Sequence, residues 1–206
     1  MIAIVDYNAG NLTSVKLAFD ALGVDAIVTR EPRAILDADR VVFPGVGSAG
    51  SAMRNIHALG LADALFEAVR RNMPFLGICL GTQIIFEQAE EDGGVQTLGI
   101  LPGTVPRFRP TAAADKVPQI GWNAVHLLHP HPLFEGIDND SEFYFVHSYY
   151  PAPAHAALTL GVTDYAGVQF ASVVRRGSLM ATQFHPEKSG RIGLRLLDNF
   201  SRWTPP

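Results

Sequence analysis

A glycine-flanked cysteine is the residue of this sequence best suited to covalent chemistry. Cys79 stands in Phe75-Leu76-Gly77-Ile78-Cys79-Leu80-Gly81-Thr82-Gln83, where a short apolar run passes into a helical pattern. Such a strand-to-helix turn, a nucleophile elbow, crowds residues two positions away, which accounts for glycine at 77 and 81. It projects the thiol out of the sheet, where helix N-terminal amides favour the thiolate and the Leu80 N–H can receive an oxyanion. The alternative at this point is a packed cysteine between two turn glycines.

A thiolate nucleophile needs a base, and His185 is the best placed of the seven histidines. It follows the apolar run 179–184 and stands in His185-Pro186-Glu187. Proline biases the residue before it toward extended geometry, in which residues two apart project to the same side, so Glu187 can orient the imidazole. Cysteine, histidine and carboxylate then form an activated nucleophile. Four other histidines are expected to be structural or solvated: His57, His126, His129 and His131.

A glycine-rich loop follows another apolar run and is expected to lie beside the elbow. Residues 41–50 read Val-Val-Phe-Pro-Gly-Val-Gly-Ser-Ala-Gly and contain Gly-x-Gly-x-x-Gly. A dinucleotide fingerprint fits poorly, because the next apolar run ends in Cys79 rather than in an acid and because Pro44 precedes the first glycine. A loop at the carboxyl edge of a parallel sheet can instead supply a second amide for the oxyanion.

The elements that must position these residues alternate in the first half of the chain. Short apolar runs separated by helical patterns are typical of βαβ units and a mainly parallel sheet. After the loop 6–10, Asn11 suits a helix N-cap, and Gly23 suits the end of that helix. The predicted strands are 2–5, 26–29, 40–43 and 75–78, and the predicted helices are 12–22, 52–59, 61–71 and 80–90.

The second half of the chain is richer in proline and glycine and favours strands with little helix between them. The predicted strands are 142–147, 158–162, 169–174 and 179–183, with a mobile loop at 111–116 and a final helix at 192–203. Since neither an internal repeat nor a linker is found, residues 1–206 are expected to form a single domain. The expected fold class is α/β, a three-layer, flavodoxin-like fold with a mainly parallel central sheet and antiparallel additions in the C-terminal half.

Composition excludes several classes of protein. The 206 residues include 16 Lys+Arg and 20 Asp+Glu, for a formal net charge of −4, and 48% are hydrophobic. This apolar content is enough to fill a hydrophobic core without crosslinks, which excludes a disordered chain and a disulfide scaffold. Basic runs no longer than two residues argue against nucleic-acid binding. With no signal peptide and no stretch near ~18 apolar residues, a cytoplasmic protein without membrane contact is expected. We expect neither a metal nor a cofactor.

Together these motifs resemble those of the class I, triad-type glutamine amidotransferases over nearly the whole chain. The elbow and the His-Pro-Glu segment identify the superfamily. The Asp-Tyr-x-x-Gly-Asn opening, the Pro-Gly-Val-Gly loop and the Gly-Trp-Asn segment are most similar to the glutaminase subunits of the imidazole glycerol phosphate synthases of histidine biosynthesis. The segments that carry the resemblance are 6–11, 44–47, 77–83, 121–123, 145–149 and 183–189.

The resemblance implies hydrolysis of glutamine to glutamate and ammonia through a glutamyl thioester. It implies Cys79 as the nucleophile, His185 as general base and then acid, and Glu187 as the residue that orients His185. The oxyanion would be held by the amides of Leu80 and Val46. Glutamine would be positioned by Gly47, Gln83, Ser148 and Tyr149, the last two largely through main chain, with Glu91 as a partner of its α-ammonium.

The resemblance also implies a heterodimer with a cyclase subunit built on a (β/α)₈ barrel. That subunit would use the ammonia to form imidazole glycerol phosphate and an aminoimidazole carboxamide ribonucleotide. Four residues match positions facing this partner, although the two aromatic ones would also suit a core: Asn11, Trp122, Tyr144 and Lys188. The alternatives are a glutaminase subunit of another synthase, for pyridoxal phosphate or anthranilate, a stand-alone cysteine hydrolase, and a regulatory pseudo-glutaminase, which should lack a triad member.

Overall fold

Fourteen strands, six α-helices and four short 3-10 helices make up the regular structure of the described residues. The computed structural model describes residues 1–110, 112 and 115–205, so residues 111, 113 and 114 of the predicted mobile loop lie outside the described part. The strands are β1 (Ile2–Val5), β2 (Ala26–Thr29), β3 (Arg40–Gly45), β4 (Phe75–Cys79), β5 (Gln88–Ala89), β6 (Val95–Gln96), β7 (Gly103–Val105), β8 (Gln119–Ala124), β9 (His126–Leu127), β10 (Glu142–His147), β11 (Ala152–Pro153), β12 (Thr159–Tyr165), β13 (Val168–Arg176) and β14 (Leu179–Thr182). The helices are α1 (Leu12–Ala21), α2 (Pro32–Leu36), α3 (Ala49–Ala58), α4 (Ala62–Arg70), α5 (Leu80–Gln83) and α6 (Gly190–Arg202).

Eight of the strands form one central sheet, in the order β2-β1-β3-β4-β14-β13-β12-β9. The pairs from β2 to β14 are parallel, and the pairs from β14 to β9 are antiparallel. The predicted parallel core with antiparallel additions is thereby confirmed. Because β4 and β14 are parallel neighbours, the segments that follow Cys79 and precede His185 leave the sheet at the same carboxyl edge, where α/β proteins bind their ligands.

Two apolar cores lie on opposite faces of the central sheet and produce three layers. One core includes Ile56 of α3, and the other includes Phe200 of α6. Strand β4 contributes to both cores, since Phe75 belongs to the first and Leu76 to the second. All four of these side chains have no exposed surface, as expected for a parallel strand that is covered on both faces.

Two smaller sheets stand beside the central one. The first has the order β11-β7-β5-β6, and the second is the antiparallel ribbon of β8 and β10. In that ribbon Trp122 lies opposite Tyr144, and Gln119 lies opposite His147. Directly opposed residues of an antiparallel pair place their side chains on the same face, so each pair acts as one surface.

The helix predicted to run to residue 90 ends at Gln83, so that prediction was wrong. The main-chain carbonyls of Ile84, Ile85 and Phe86 accept hydrogen bonds from the amides of Leu98, Leu101 and Gly99, at 2.9, 2.9 and 2.6 Å. These long-range bonds replace the bonds that would continue the helix, and the chain passes instead into β5. The short helix α2, which begins with Pro32, is an element that sequence reasoning missed. Within the described residues no helix has the length and apolar character to cross a membrane.

Candidate active site

Cys79 lies at a sharp turn between β4 and α5. Its backbone angles are φ 53° and ψ −108°, a left-handed region that a residue with a side chain rarely adopts. A Cβ at position 81 would collide with the carbonyl oxygen of Phe43, and one at position 77 would lie 2.8 Å from the Cβ of Ala181. Glycine is therefore required at both flanks, as the elbow motif predicts. At Gly81 the crowding comes from the neighbouring strand β3 rather than from the elbow itself.

His185 and Glu187 form a buried pair at the end of the segment that follows β14. Nδ1 of His185 lies 2.7 Å from Oε1 of Glu187, and the two side chains are 1% and 0% exposed. Burial alone would lower the pKa of His185, but the Cys79 thiolate and the Glu187 carboxylate outweigh it and raise this pKa to about 10. His185 is therefore an imidazolium when Cys79 is ionised. Its Nε2 is buried without a hydrogen-bond partner among the described residues.

Asn11 joins this pair from the other end of the chain. Its Nδ2 donates a hydrogen bond of 2.6 Å to the same Oε1 of Glu187 that contacts His185. The residue takes the N-cap position of α1, as predicted, but its φ is 70° and its side chain makes no capping hydrogen bond. The side-chain amide of Asn11 bonds to Glu187 instead of the helix, because a buried carboxylate is a stronger, charge-assisted acceptor.

A cavity of about 280 Å³ opens above Cys79. It is lined by every residue predicted for the nucleophile, base, oxyanion and glutamine contacts. Glu187, which is predicted to orient the base, lies behind His185 instead. The lining residues are Val46, Gly47, Cys79, Leu80, Gln83, Glu91, Pro118, Val146, His147, Ser148, Tyr149 and His185. Among the described residues there is no cluster of side chains that could hold a metal ion.

The glycine-rich loop reaches this cavity at the end of β3. Gly47 has a φ of 106°, which favours glycine, and it is exposed beside Val46. The hydroxyl of Tyr7 lies against the Cα of Gly45, where a Cβ would collide with it. A Cβ at Gly10 would lie 2.9 Å from Cγ2 of Val46. The loop after β1, residues 6–11, therefore contacts the glycine-rich loop through Tyr7 and Gly10 and the triad pair through Asn11.

Two of the predicted glutamine contacts also have structural partners. Gln83 Nε2 donates to the carbonyl of Tyr149 at 2.9 Å and to Oε1 of Gln183 at 3.0 Å. The carboxylate of Glu91 accepts the amide of Ala49, at the N-terminus of α3, at 2.7 Å. Burial raises the pKa of Glu91. The geometry therefore gives both residues a part in holding the cavity wall.

Besides the apolar lining residues Pro118 and Val146, sequence reasoning missed two polar residues at this site. His147 lines the cavity, and Nε2 of Gln183 lies 3.7 Å from the sulfur of Cys79. The signal for His147 was present in β10, where Phe143, Phe145 and His147 alternate inward and are buried. A histidine at an inward position of such an alternation predicts a buried imidazole. Gln183 directly precedes Phe184 and His185, but no local pattern points its amide at a thiol 104 residues away.

The four residues predicted to face a partner lie around the outer side of the triad pair. Trp122 is 53% exposed, which excludes the core alternative for it, and its ring is 6.1 Å from that of the half-buried Tyr144. The carbonyl of Tyr144 accepts the amide of His185 at 2.9 Å. Lys188 is exposed, and Asn11 is half-buried against Glu187. Tyr144 and Asn11 therefore connect this side of the protein to the His185–Glu187 pair.

Comparison with known proteins places the chain in a family. The family model of class-I glutamine amidotransferases matches residues 3–202. The chain is 49% identical over 200 residues to the imidazole glycerol phosphate synthase subunit HisH of Dehalococcoides mccartyi, covering 97% of this chain and 96% of that protein. It is 46% identical to the HisH subunit of Methanocaldococcus jannaschii, with 97% and 98% covered.

Solved structures agree on the fold. A glutamine amidotransferase crystal structure matches with a TM-score of 0.70 at 20% identity, covering 97% of both chains. The PurLQS structure from Thermotoga maritima matches with a TM-score of 0.70 at 16% identity, covering 97% of this chain and 96% of that one. The chain thus belongs to the class-I glutamine amidotransferases and, within them, to the HisH subunit family of imidazole glycerol phosphate synthase.

Proposed function

We propose that this chain, as a single domain of residues 1–206, is the glutaminase subunit of an imidazole glycerol phosphate synthase. It hydrolyses glutamine to glutamate and ammonia and delivers the ammonia to a cyclase subunit. One observation carries the proposal: the strained Cys79 and the His185–Glu187 pair, 2.7 Å apart at Nδ1 and Oε1, converge on one cavity. The names of the relatives support the synthase and its partner subunit.

The first half of the reaction releases ammonia. The Cys79 thiolate attacks the γ-carbonyl carbon of glutamine, a C–S bond forms, and the carbonyl electron pair moves to oxygen. The main-chain amides of Leu80 and Val46 stabilise this oxyanion, since both residues line the cavity beside the sulfur. His185 then gives its Nε2 proton to the amide nitrogen. The C–N bond breaks with its electron pair on nitrogen, and ammonia leaves behind a glutamyl thioester.

The second half regenerates the enzyme. His185, now neutral, takes a proton from water while the water oxygen attacks the thioester carbon. The C–S bond breaks with its electron pair on sulfur, so that glutamate departs and the thiolate and imidazolium are restored. Glu187 keeps the Nδ1 proton in place through both halves and stabilises the imidazolium, which agrees with the direction in which the pKa of His185 is shifted.

Glutamine is held by the remaining cavity residues. Glu91 binds the α-ammonium through its carboxylate. Ser148 and Tyr149 contribute main-chain groups, and Gln83 and Gly47 complete the wall. The half-buried and exposed residues around the base, Asn11, Trp122, Tyr144 and Lys188, face the cyclase subunit, which is built on a (β/α)₈ barrel and forms imidazole glycerol phosphate and an aminoimidazole carboxamide ribonucleotide.

The partner also sets the rate of glutamine hydrolysis. Gly45 and Gly47 give the segment before α3 the freedom to rotate a peptide unit, so the amide of Val46 can be turned away at rest. We expect the isolated chain to hydrolyse glutamine slowly, and the cyclase with its nucleotide ligand to raise the rate by several orders of magnitude. Full activity of the chain alone, unchanged by the cyclase, would contradict this gating.

The decisive test separates the two chemistries. Cys79→Ala removes the sulfur but little volume, since cysteine packs as a small apolar residue. The complex that carries it should lose imidazole glycerol phosphate formation from glutamine and keep it from ammonium at a pH that supplies free ammonia. A glutamine-like electrophile should label wild-type Cys79, as seen by mass spectrometry. His57→Ala, at an exposed position of α3, is the control and should keep both reactions.

Two results would overturn the proposal. Glutamine-dependent synthesis that persists in Cys79→Ala would place the nucleophile elsewhere. Loss of the ammonium-dependent reaction as well would mean that Cys79 is structural or that the subunits do not divide the work in this way. Pairing the chain with the glutamine-dependent synthases for pyridoxal phosphate and anthranilate tests the alternative partners by the same assay.

A further inference from the structure

His147 is a second histidine of the Cys79 cavity, and the reaction described above leaves it unused. It lies at the end of β10 and is 6% exposed. Its ring packs among three phenylalanine rings, with centroid distances of 5.3 Å to Phe108, 5.6 Å to Phe145 and 5.3 Å to Phe170. Such a site holds the imidazole in one position and keeps water away from it.

The hydrogen bonds of His147 fix its tautomer. Nδ1 lies 2.7 Å from the carbonyl oxygen of Tyr149, and a carbonyl can only accept, so Nδ1 carries the proton. Burial lowers the pKa of His147 to about 4, since the hydrogen bond to the Tyr149 carbonyl offsets only part of its effect and nearby His185 lowers the pKa further. The ring is therefore neutral at physiological pH. Its Nε2 therefore presents a lone pair.

No described residue of the protein uses that lone pair. Nε2 of His147 is buried and has no hydrogen-bond partner among the described residues. Gln119, which lies directly opposite in the ribbon of β8 and β10, adds a buried Oε1 that also has no partner. A buried acceptor without a donor costs free energy, so one that a protein keeps beside its reaction cavity calls for an explanation.

We infer that Nε2 of His147 accepts a hydrogen bond from the γ-carboxamide nitrogen of glutamine and thereby selects an amide over other acyl groups. The inference rests on the proposed function and deepens it. The oxyanion amides bind the carbonyl oxygen, so the NH₂ group must lie on the other side of the carbonyl carbon. His147 and His185 both line the cavity, and of the two only His147 is a neutral acceptor.

The contact also aligns the leaving group. When sulfur attacks, the amide nitrogen becomes tetrahedral, with two N–H bonds and one lone pair. If one N–H is held by His147, the nitrogen lone pair can turn to the proton on Nε2 of His185, which is the proton needed for departure. His147 gives and takes no proton. Ammonia leaves with its two original hydrogens and the one from His185.

Two substrates separate this role from the rest of the reaction. Glutamine has N–H bonds on its leaving group, whereas glutamate γ-methyl ester has none, and both acylate Cys79 to the same thioester. The measured quantity is the ratio of kcat/KM for glutamine to kcat/KM for the ester, with the chain assembled with its cyclase and ligand. Because kcat/KM reports steps through acylation, a change in this ratio reports the leaving group.

Two variants of His147 test the Nδ1 and Nε2 hydrogen bonds separately. His147→Asn keeps a donor near the Nδ1 position for the Tyr149 carbonyl and removes the distal acceptor. The ratio should fall about tenfold, the effect of one lost hydrogen bond to substrate. His147→Gln places an amide oxygen near the Nε2 position and should recover most of the ratio. His131→Asn is the matched control, because burial also lowers the pKa of His131 to about 4 but that residue lies against Trp203 outside the cavity.

The outcomes are distinct. An unchanged ratio in His147→Asn overturns the inference, whether both substrates slow equally, as for a residue that positions the hydrolytic water or the fold, or neither slows. A diazoketone analogue of glutamine, which has no amide N–H, should label Cys79 of His147→Asn at the wild-type rate, and loss of labelling would also overturn the inference. If wild-type protein neither hydrolyses the two substrates nor is labelled, the proposed function fails instead.

Discussion

The two histidines of the Cys79 cavity have the same side chain and opposite states. His185 has the Glu187 carboxylate at its Nδ1 and the Cys79 sulfur nearby, and its pKa is raised to about 10. His147 has a carbonyl at its Nδ1 and phenylalanine rings around it, and its pKa is lowered to about 4. Burial disfavours the charged form of both, so the difference comes from whether negative charges compensate. One cavity thus holds a proton donor, His185, and a neutral hydrogen-bond acceptor, His147.

Replacing His185, the protonated histidine of the two, should have the largest effect on glutamine hydrolysis. His185→Ala eliminates both proton transfers, and we expect kcat for glutamine to fall by about 10³-fold or more in the complex with the cyclase. Ammonium-dependent synthesis, measured in the same preparation, should be unaffected. Equal glutaminase activity of this variant and the wild type would remove the histidine from the mechanism.

Glu187→Gln removes the negative charge beside His185 and leaves His185 itself in place. The amide can still contact Nδ1 but carries no charge, so the pKa of His185 should fall and kcat should drop by about 10²-fold, less than in His185→Ala. NMR titration of isotope-labelled histidine in wild type and variant measures the pKa directly. A pKa of His185 that does not move would show that Glu187 contributes no charge effect.

Stability against pH sharpens the comparison, because the two histidines act with opposite signs. The folded pKa of His147 lies below its unfolded value, so its contribution is lost as pH falls from about 6.5 toward 4, by about 3 kcal/mol at most. The folded pKa of His185 is raised, so its contribution is present below pH ~6.5 and is lost as pH rises toward 10.

Urea unfolding of the isolated chain between pH 4 and pH 10 measures both slopes. His147→Asn should flatten the acid side, and His185→Gln should flatten the alkaline side. An acid slope that is unchanged in His147→Asn would mean that other groups carry the acid sensitivity.

The smallest effect is expected at Asn11, which acts through Glu187. Asn11→Ala removes a bond of 2.6 Å to the carboxylate, and we expect kcat to fall by about three- to tenfold with little change in KM. Asn8→Ala is a matched control, since both asparagines have a positive φ in the same loop, 61° and 70°, and impose the same backbone cost. If the two variants lose the same activity, the loss comes from the backbone.

Local patterns were sufficient for the fold class and the family. The elbow around Cys79 and the His-Pro-Glu segment are short, and each carries its own geometry in a few residues. Local patterns do not give the order of the strands in the sheet. The βαβ pattern nevertheless predicts parallel strands in the first half of the chain, and the helix-poor second half predicts the antiparallel additions. The roles of the individual site residues stay predictions until the variants are measured.

What sequence reasoning missed depends on contacts between distant segments. The helix after Leu80 was cut short by hydrogen bonds to residues 98–101, which no propensity within that helix reveals. Asn11 has the residue type of a cap, yet its side chain bonds a carboxylate 176 positions away. His147 was visible as an inward residue of β10, but its orphaned nitrogen depends on three aromatic rings from separate segments and on a carbonyl beyond the strand.

The loop 6–11 has a consequence for how such subunits change over evolution. It meets the glycine-rich loop through Tyr7 and Gly10 and the triad carboxylate through Asn11, which also belongs to the surface assigned to the partner. Under the proposed function, a lineage that adapts to an altered cyclase can replace exposed Trp122 or Lys188 and change only the contact with the partner. A replacement at Asn11 would change that contact and catalysis together. Engineering a new pairing should therefore leave this loop intact and diversify exposed positions such as Trp122 and Lys188 instead.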